Sequence, residues 1–243
     1  MSVAVPSGVV AASTGTDWSG AAVSEAESFL ATLDRADATA LMKQGVPISF
    51  ARGRLLVHEG QLPDRVLLLT SGRVKVVSAI ADRELLLAFR GPGDLVGELS
   101  ALDDAPRSAT IMALERVEAR SLTTGGFRTF LIQHPRASLV LLTMLSRRLR
   151  DSDAQRAELA VLTTIQRVAG RLLELSARFG LKDRGAIRLS LSQEELAGAT
   201  GASLESVGRA LQTMRALNCV ETGRREIRIL DADALDALRR ATF

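Results

Sequence analysis

Two stretches of this 243-residue chain hold side chains suited to chemistry at close quarters. The first is LVGELSALDDAPRSATI, residues 95–111. It sets an acid, Glu98, between Gly97 and Leu99, and a base, Arg107, before Ser108 and Ala109. An arginine fork suits a phosphate, because it donates two parallel charge-assisted hydrogen bonds. A carboxylate beside that phosphate is repelled unless it accepts from a sugar hydroxyl. Gly97 lets the backbone come close, and the N–H groups of Glu98, Leu99 and Ser108 can face an anion. Together these residues describe a sugar-phosphate pocket. The bland reading is a local ion pair between Glu98 and Arg107, and a short motif by itself leaves both readings open.

The second stretch is LSQEELAGATGASLESVGRALQTMRAL, residues 191–217. Ser192 and Glu195 form a capping-box signature that starts a helix over Gln193–Ala199. Thr200-Gly201-Ala202 makes a tight turn, and Ser203 can cap a second helix to about Leu217. Helix, short turn, helix is a DNA-reading pattern, in which the second helix enters the major groove N-terminus first. That end offers Ser203, Leu204, Glu205, Ser206 and Arg209. Glutamate can accept from cytosine N4, and arginine can donate to guanine O6 and N7. A hairpin follows over Cys219–Leu230, with its turn placed at Thr222-Gly223-Arg224. Arg215, Arg224 and Arg225 are expected on phosphates. The alternative is a packing helical hairpin whose charges are merely solvated.

Other chemistries find no residues to carry them. The chain has two histidines, His58 and His134, neither near a metal-ligand partner, and one cysteine, Cys219. That excludes a disulfide framework and a protein-only iron–sulfur cluster. No Walker loop, G-x-G-x-x-G or G-x-S-x-G occurs, so no enzyme is expected. Arg147, Arg148 and Arg150 are read as the solvated face of a long helix.

Around these stretches the chain divides by rhythm. Residues 1–23 carry one acid and no base, and are expected to form a disordered tail in which Trp18 is incidental. Residues 24–134 begin with a helical pattern from Ser24 to Gln44, then turn to short β-prone runs broken by glycine and proline. The runs are Leu55–Val57, Arg65–Leu69, Val74–Val77, Glu84–Phe89, Ala109–Ala113 and Val117–Leu122, which argues for a β-sandwich or β-roll. Residues 135–180 are helical, too long for an ordinary globular helix and expected to bend in their second half. One seam runs Leu142, Leu145, Leu149, Ser152, Arg156, Leu159, Thr163, apolar first and polar in the middle. Such a seam fits a dimer axis facing a polar ligand. Residues 181–243 hold Gly180–Gly185 as their entering connector, a strand Ile187–Leu189, the paired helices, the hairpin and a terminal helix over residues 231–241.

The order of elements describes an α+β protein, and the bulk numbers read as globular and soluble. Hydrophobic residues make up 47% and charged residues 24%, and mean hydropathy is +0.14. No apolar run reaches the ~18–20 residues that span a bilayer. No secretory leader is read in the N-terminus, and a reducing cytoplasm is the expected home. A net charge of +3 is compatible with a nucleic-acid partner.

From about residue 25 onward the order of these pieces resembles the catabolite activator protein family, also called the CRP/FNR family of bacterial transcription regulators. The resemblance rests on the glycine-punctuated β-roll, Gly97-Glu98-Leu99 with Arg107-Ser108-Ala109, the long helix, and the winged helix-turn-helix from Ser192. It implies a homodimer that binds palindromic double-stranded DNA, with RNA polymerase as a further partner. In the cyclic-nucleotide branch it implies cAMP in the β-roll, with Glu98 on the ribose 2′-hydroxyl and Arg107 and Ser108 on the cyclic phosphate. Arg107→Ala is then expected to abolish binding without unfolding the protein. A Thr-Ser pair of that branch, the second from the partner subunit, matches Ser152 and Asp153 here. Asp153 departs from the hydroxyl pattern, and a carboxylate can accept from guanine as well as adenine, which brings in cGMP. Leu204 stands where cAMP-type members carry a guanine-reading arginine, whereas Glu205 and Arg209 match. The iron–sulfur sensor of the FNR branch is excluded by the lone cysteine.

Overall fold

The protein is described by a computed structural model covering residues 28–80, 83–183 and 185–241. The N-terminal stretch expected to be a tail, with Trp18, lies outside the described residues. Two short helices open the chain, α1 (Phe29–Thr32) and α2 (Arg35–Gln44). They are separate because Ser28 and Asp34 each cap one, accepting from Ala31 N and Asp37 N.

Strands β1 (Val46–Phe50), β2 (Leu55–Val57), β3 (Arg65–Ser71), β4 (Val74–Ile80), β5 (Arg83–Arg90), β6 (Leu95–Val96), β7 (Thr110–Ala113) and β8 (Val117–Thr123) follow, with helix α3 (Glu98–Asp103) between β6 and β7. They form two antiparallel four-stranded sheets, ordered β1-β8-β3-β6 and β2-β7-β4-β5. β1 and β6 go beyond the runs legible in the sequence. β1 (VPISF) is exposed or half-buried along its length and carries a proline, while β6 is only two residues long. Val66 and Leu68 of β3 are fully buried against helices and Leu67 and Leu69 against the facing sheet, so this strand, covered on both faces, reads as a continuous apolar run.

Helix α4 (Thr124–Gln133) leads into α5 (Pro135–Val161) and α6 (Thr164–Phe179). The expected bend is a clean break. Leu162 and Thr163 are both extended, and Gln166 Oε1 accepts from Thr163 N at 2.8 Å to start the new helix. α6 buries Val168, Ala169, Leu172, Leu173 and Leu175 against the elements that follow it.

Those elements are β9 (Leu181–Asp183), β10 (Ala186–Leu189), α7 (Gln193–Thr200), α8 (Leu204–Ala216), β11 (Val220–Gly223), β12 (Glu226–Ile229) and α9 (Ala232–Arg240). The connector expected at Gly180–Gly185 contains a strand, because β9 pairs along β10 and fills the edge of a β11-β12-β10-β9 sheet. The hairpin turn also shifts. Thr222 and Gly223 stay paired with Ile227 and Glu226, so the turn falls on Arg224-Arg225, with Arg225 at φ +54°.

The two halves share a core. Val77, Leu86 and Phe89 of the β-roll pack with α6, α7 and the second sheet. Phe89 meets Phe179 edge-on at 5.9 Å between ring centres. Arg178 of α6 donates to both carboxylate oxygens of buried Asp94, at 2.8 and 3.1 Å.

Candidate functional site

Gly97 sits in the left-handed region at φ +79° and turns the chain from β6 into α3. A Cβ there would lie 2.7 Å from Arg107 Nη1. Glycine is therefore needed both for the backbone and for the arginine packed over it. Glu98 begins the short helix rather than standing on a loop, and it is 3% exposed. Arg107 is 4% exposed.

The local Glu98–Arg107 ion pair does not form. Glu98 Oε1 instead accepts from Arg148 Nη1 of α5. Arg107 donates to Gly97 O (2.7 Å), to Arg65 O (2.5 Å) and to Asp64 Oδ1 (3.2 Å). Burial pushes the Asp64 carboxyl up, but Arg65 and Arg107 outweigh this and hold it below its usual range. The internal bonds of Arg107 add a stability cost to the alanine variant expected to lose binding without unfolding. Removing the arginine strands two backbone carbonyls.

Gly97, Glu98, Leu99, Arg107, Ser108 and Ala109 line one pocket, together with Arg148 and Arg90. Two of its cations were thus missed in the sequence. Arg148, read there as solvated, is turned inward onto Glu98. It lies four residues before Ser152, one helical turn away on the same face, and that spacing was the available signal. Arg90 ends a run of apolar residues in β5, where a charge stands out. Burial, then repulsion from Arg148 and Arg178, lowers its pKa to about 10, against the opposing pull of Asp94 and Glu98. Ser152 lines a second, larger cleft that opens beside the pocket between β5, α5, α6 and α7, and Arg90 and Arg148 belong to both. Asp153 lies outside this lining, exposed and 3.6 Å from Arg156.

The α5 seam is bare along much of its length. Leu142, Leu149 and Leu159 are 59%, 62% and 50% exposed, whereas Leu145 packs on the β-roll side.

On the second candidate surface, Ser192 and Glu195 complete their capping box, with bonds of 2.8 and 3.1 Å. Ser203 caps α8, accepting from Ser206 N at 3.1 Å, and the two hydroxyls meet at 2.9 Å. Leu204 is exposed. Glu205 and Arg209 project into solvent, paired one turn apart at 3.5 Å. Val207, Ala210, Leu211 and Met214 bury the opposite face of α8. Arg215 donates to Thr222 Oγ1 on the hairpin (3.1 Å), and Arg225 pairs with Glu195 (3.1 Å). Both arginines thus brace the hairpin. Arg224 is exposed at its tip.

The described residues contain no cluster of metal-ligating side chains and no helix long and apolar enough to cross a membrane. Residues 47–134 match the cyclic nucleotide-binding domain family, and residues 166–238 match the Crp-like helix-turn-helix domain family. The chain is 37% identical over 81% of its length to a CRP-like cAMP-activated global transcriptional regulator of Mycobacterium tuberculosis, covering 89% of that protein. Among solved structures, the c-di-GMP responsive global regulator CLP of Xanthomonas campestris superposes with a TM-score of 0.72 at 22% identity, over 82% of this chain and 100% of that one. A CRP/FNR-family regulator from Thermus thermophilus superposes with a TM-score of 0.70 at 24% identity, over 81% and 99% of the respective chains.

Proposed function

The chain belongs to the CRP/FNR family of transcription regulators, and from that premise we propose that it is a homodimer whose DNA binding is controlled by a cyclic purine nucleotide held in the β-roll. One observation carries the reading. Glu98 and Arg107, nine positions apart in sequence and not paired with each other, are buried on separate protein partners around one pocket, in the same chain as an exposed recognition helix.

In this reading Glu98 accepts from the ribose 2′-hydroxyl with lone pairs left over from Arg148. The bonds of Arg107 to Gly97, Asp64 and Arg65 use three of the five N–H groups of a guanidinium. The others, with Ser108, face the cyclic phosphate. Ser152, and Asp153 of the partner subunit, stand toward the base. Leu142, Leu149 and Leu159 supply the dimer seam, each with half or more of its surface exposed in the single chain. Each α8 reads one half-site of a palindrome, with centres ~34 Å apart. Glu205 and Arg209 contact base edges, Leu204 meets a thymine methyl, and Arg215, Arg224 and Arg225 lie along phosphates. RNA polymerase is a further proposed partner, and the cytoplasm the proposed location. No catalytic step is part of this reading.

Ligand binding shifts the balance between orientations of the two recognition helices. The relatives' names make cAMP the first compound to test, and Asp153 makes cGMP the second. The decisive experiment is a thermal-shift titration with both. A saturable rise in Tm with one of them is expected, about 2–4 kcal/mol of added stability at 100–1,000 times Kd. Sequence-specific DNA binding with no shift from either would leave a ligand-independent regulator of the same fold.

A further inference from the structure

Arg90 has an uncommon position. It is the last residue of β5, and its side chain lines both the β-roll pocket and the cleft beside it. Among the described residues only Arg148 shares that distinction, and Arg148 is already engaged by Glu98. Among the described residues, the hydrogen bond of Arg90 is to the carbonyl of its own neighbour, Phe89, at 2.8 Å. Two other guanidinium groups, Arg148 and Arg178, are near enough to repel it, and its partial burial adds to that cost. A like-charged group kept in such surroundings is costly for the empty protein.

The layout says where a ligand would meet it. With the sugar-phosphate on Glu98, Arg107 and Ser108, the rest of a nucleotide can extend past Arg90 and Arg148, the residues common to both cavities, into the adjoining cleft. The passage is flanked by Arg90 and Arg148, and the cleft beyond is walled by Leu85, Leu87 and Ser152. A planar base can lie against the leucines, with its polar edge toward the guanidinium of Arg90.

We propose that Arg90 is a specificity-determining residue that reads the base edge and selects guanine over adenine. This rests on the sugar-phosphate reading of the β-roll given above. The chemistry follows from the donor–acceptor inventory. Guanine presents two adjacent acceptors, O6 and N7, which match the two parallel donors of an arginine fork. Adenine presents N7 beside the N6 amino group, a donor that faces arginine with a like partner. A carboxylate such as Asp153 supplies the complementary acceptor for guanine N1–H and N2–H.

The test is calorimetric titration of the full chain with cAMP, cGMP and cyclic inosine monophosphate. The inosine compound keeps O6, N7 and N1–H but lacks the N2 amino group, so it leaves the Arg90 contact whole while cutting a carboxylate contact from two donors to one. The wild type is expected to bind cGMP and the inosine analogue roughly 5- to 100-fold more tightly than cAMP, the range of one good bidentate pair. Arg90→Met is expected to bring all three to within about threefold while the ligand-free Tm holds or rises, because the repulsion from Arg148 and Arg178 has gone. Arg90→Lys keeps the charge without the fork and should lose the preference likewise. A wild type that prefers cAMP, or a preference unchanged in Arg90→Met, overturns the proposal alone. So does a fall in ligand-free Tm accompanied by equal loss of all three ligands, which marks a purely structural residue. Failure of the wild type to bind any of the three removes the sugar-phosphate reading, and this inference with it.

Discussion

In the β-roll pocket the charged side chains turn inward, Glu98 onto Arg148 and Arg107 onto Asp64, whereas on α8 Glu205 and Arg209 stand in solvent with each other. The first arrangement joins residues 50 and 43 positions apart in sequence, while the second spans one helical turn. A site for a small polar ligand must exclude water, so its charges need protein partners when empty. A surface that meets a duplex keeps its readers hydrated until binding, and one amphipathic helix suffices to present them. The pocket is therefore expected to couple function to stability, and the recognition helix to keep them apart.

Three measurements would break or sharpen that contrast. The largest effect belongs to Arg107→Ala. It should abolish nucleotide binding and also lower folding stability by about 2–4 kcal/mol, through the stranded carbonyls of Gly97 and Arg65. Denaturant unfolding beside calorimetry reads both, and a full-strength fold without binding would mean that the inward bonds contribute nothing.

Next comes Arg209→Ala, expected to weaken specific operator binding by about 1–3 kcal/mol, with Tm unchanged and random-sequence binding scarcely altered. Equal losses on operator and random duplexes, measured by anisotropy at one salt concentration, would reduce Arg209 to a backbone contact.

The smallest concerns Asp64, whose carboxyl is held below its usual range in the folded protein. Its contribution is present above the unfolded pKa and is lost as pH falls through the lower folded value. Asp64→Asn should thus cost less than about 1 kcal/mol near neutrality, since the carboxylate is largely exposed, and should flatten the acid fall in Tm below about pH 4. Parallel Tm–pH curves for the two proteins would show that the pair carries no net stabilisation.

Much of the scaffold was legible. Glycine breaks marked most of the β-roll strands, and the Ser192/Glu195 box and the Ser203 cap placed α7 and α8 within a residue or so. These signals are local, acting within one turn of chain. The break in α5 had the same kind of signal in Thr163 and Gln166, which was there to be read. β6 and β9 were not legible, since such short strands exist only because a neighbour offers a ladder.

The sequence by itself determined the family, the α+β order of parts and the residue types around the pocket, because each is written in local spacing. Only the tertiary structure decided whom those residues face. It set Arg148 on Glu98 rather than in solvent, folded Arg107 onto Asp64, and left Arg90 between two cavities and two other arginines. The physical reason is that a buried charge must find its partner across space. Which partner comes within ~4 Å is settled by the packing of β-roll and helix, not by the spacing along the chain.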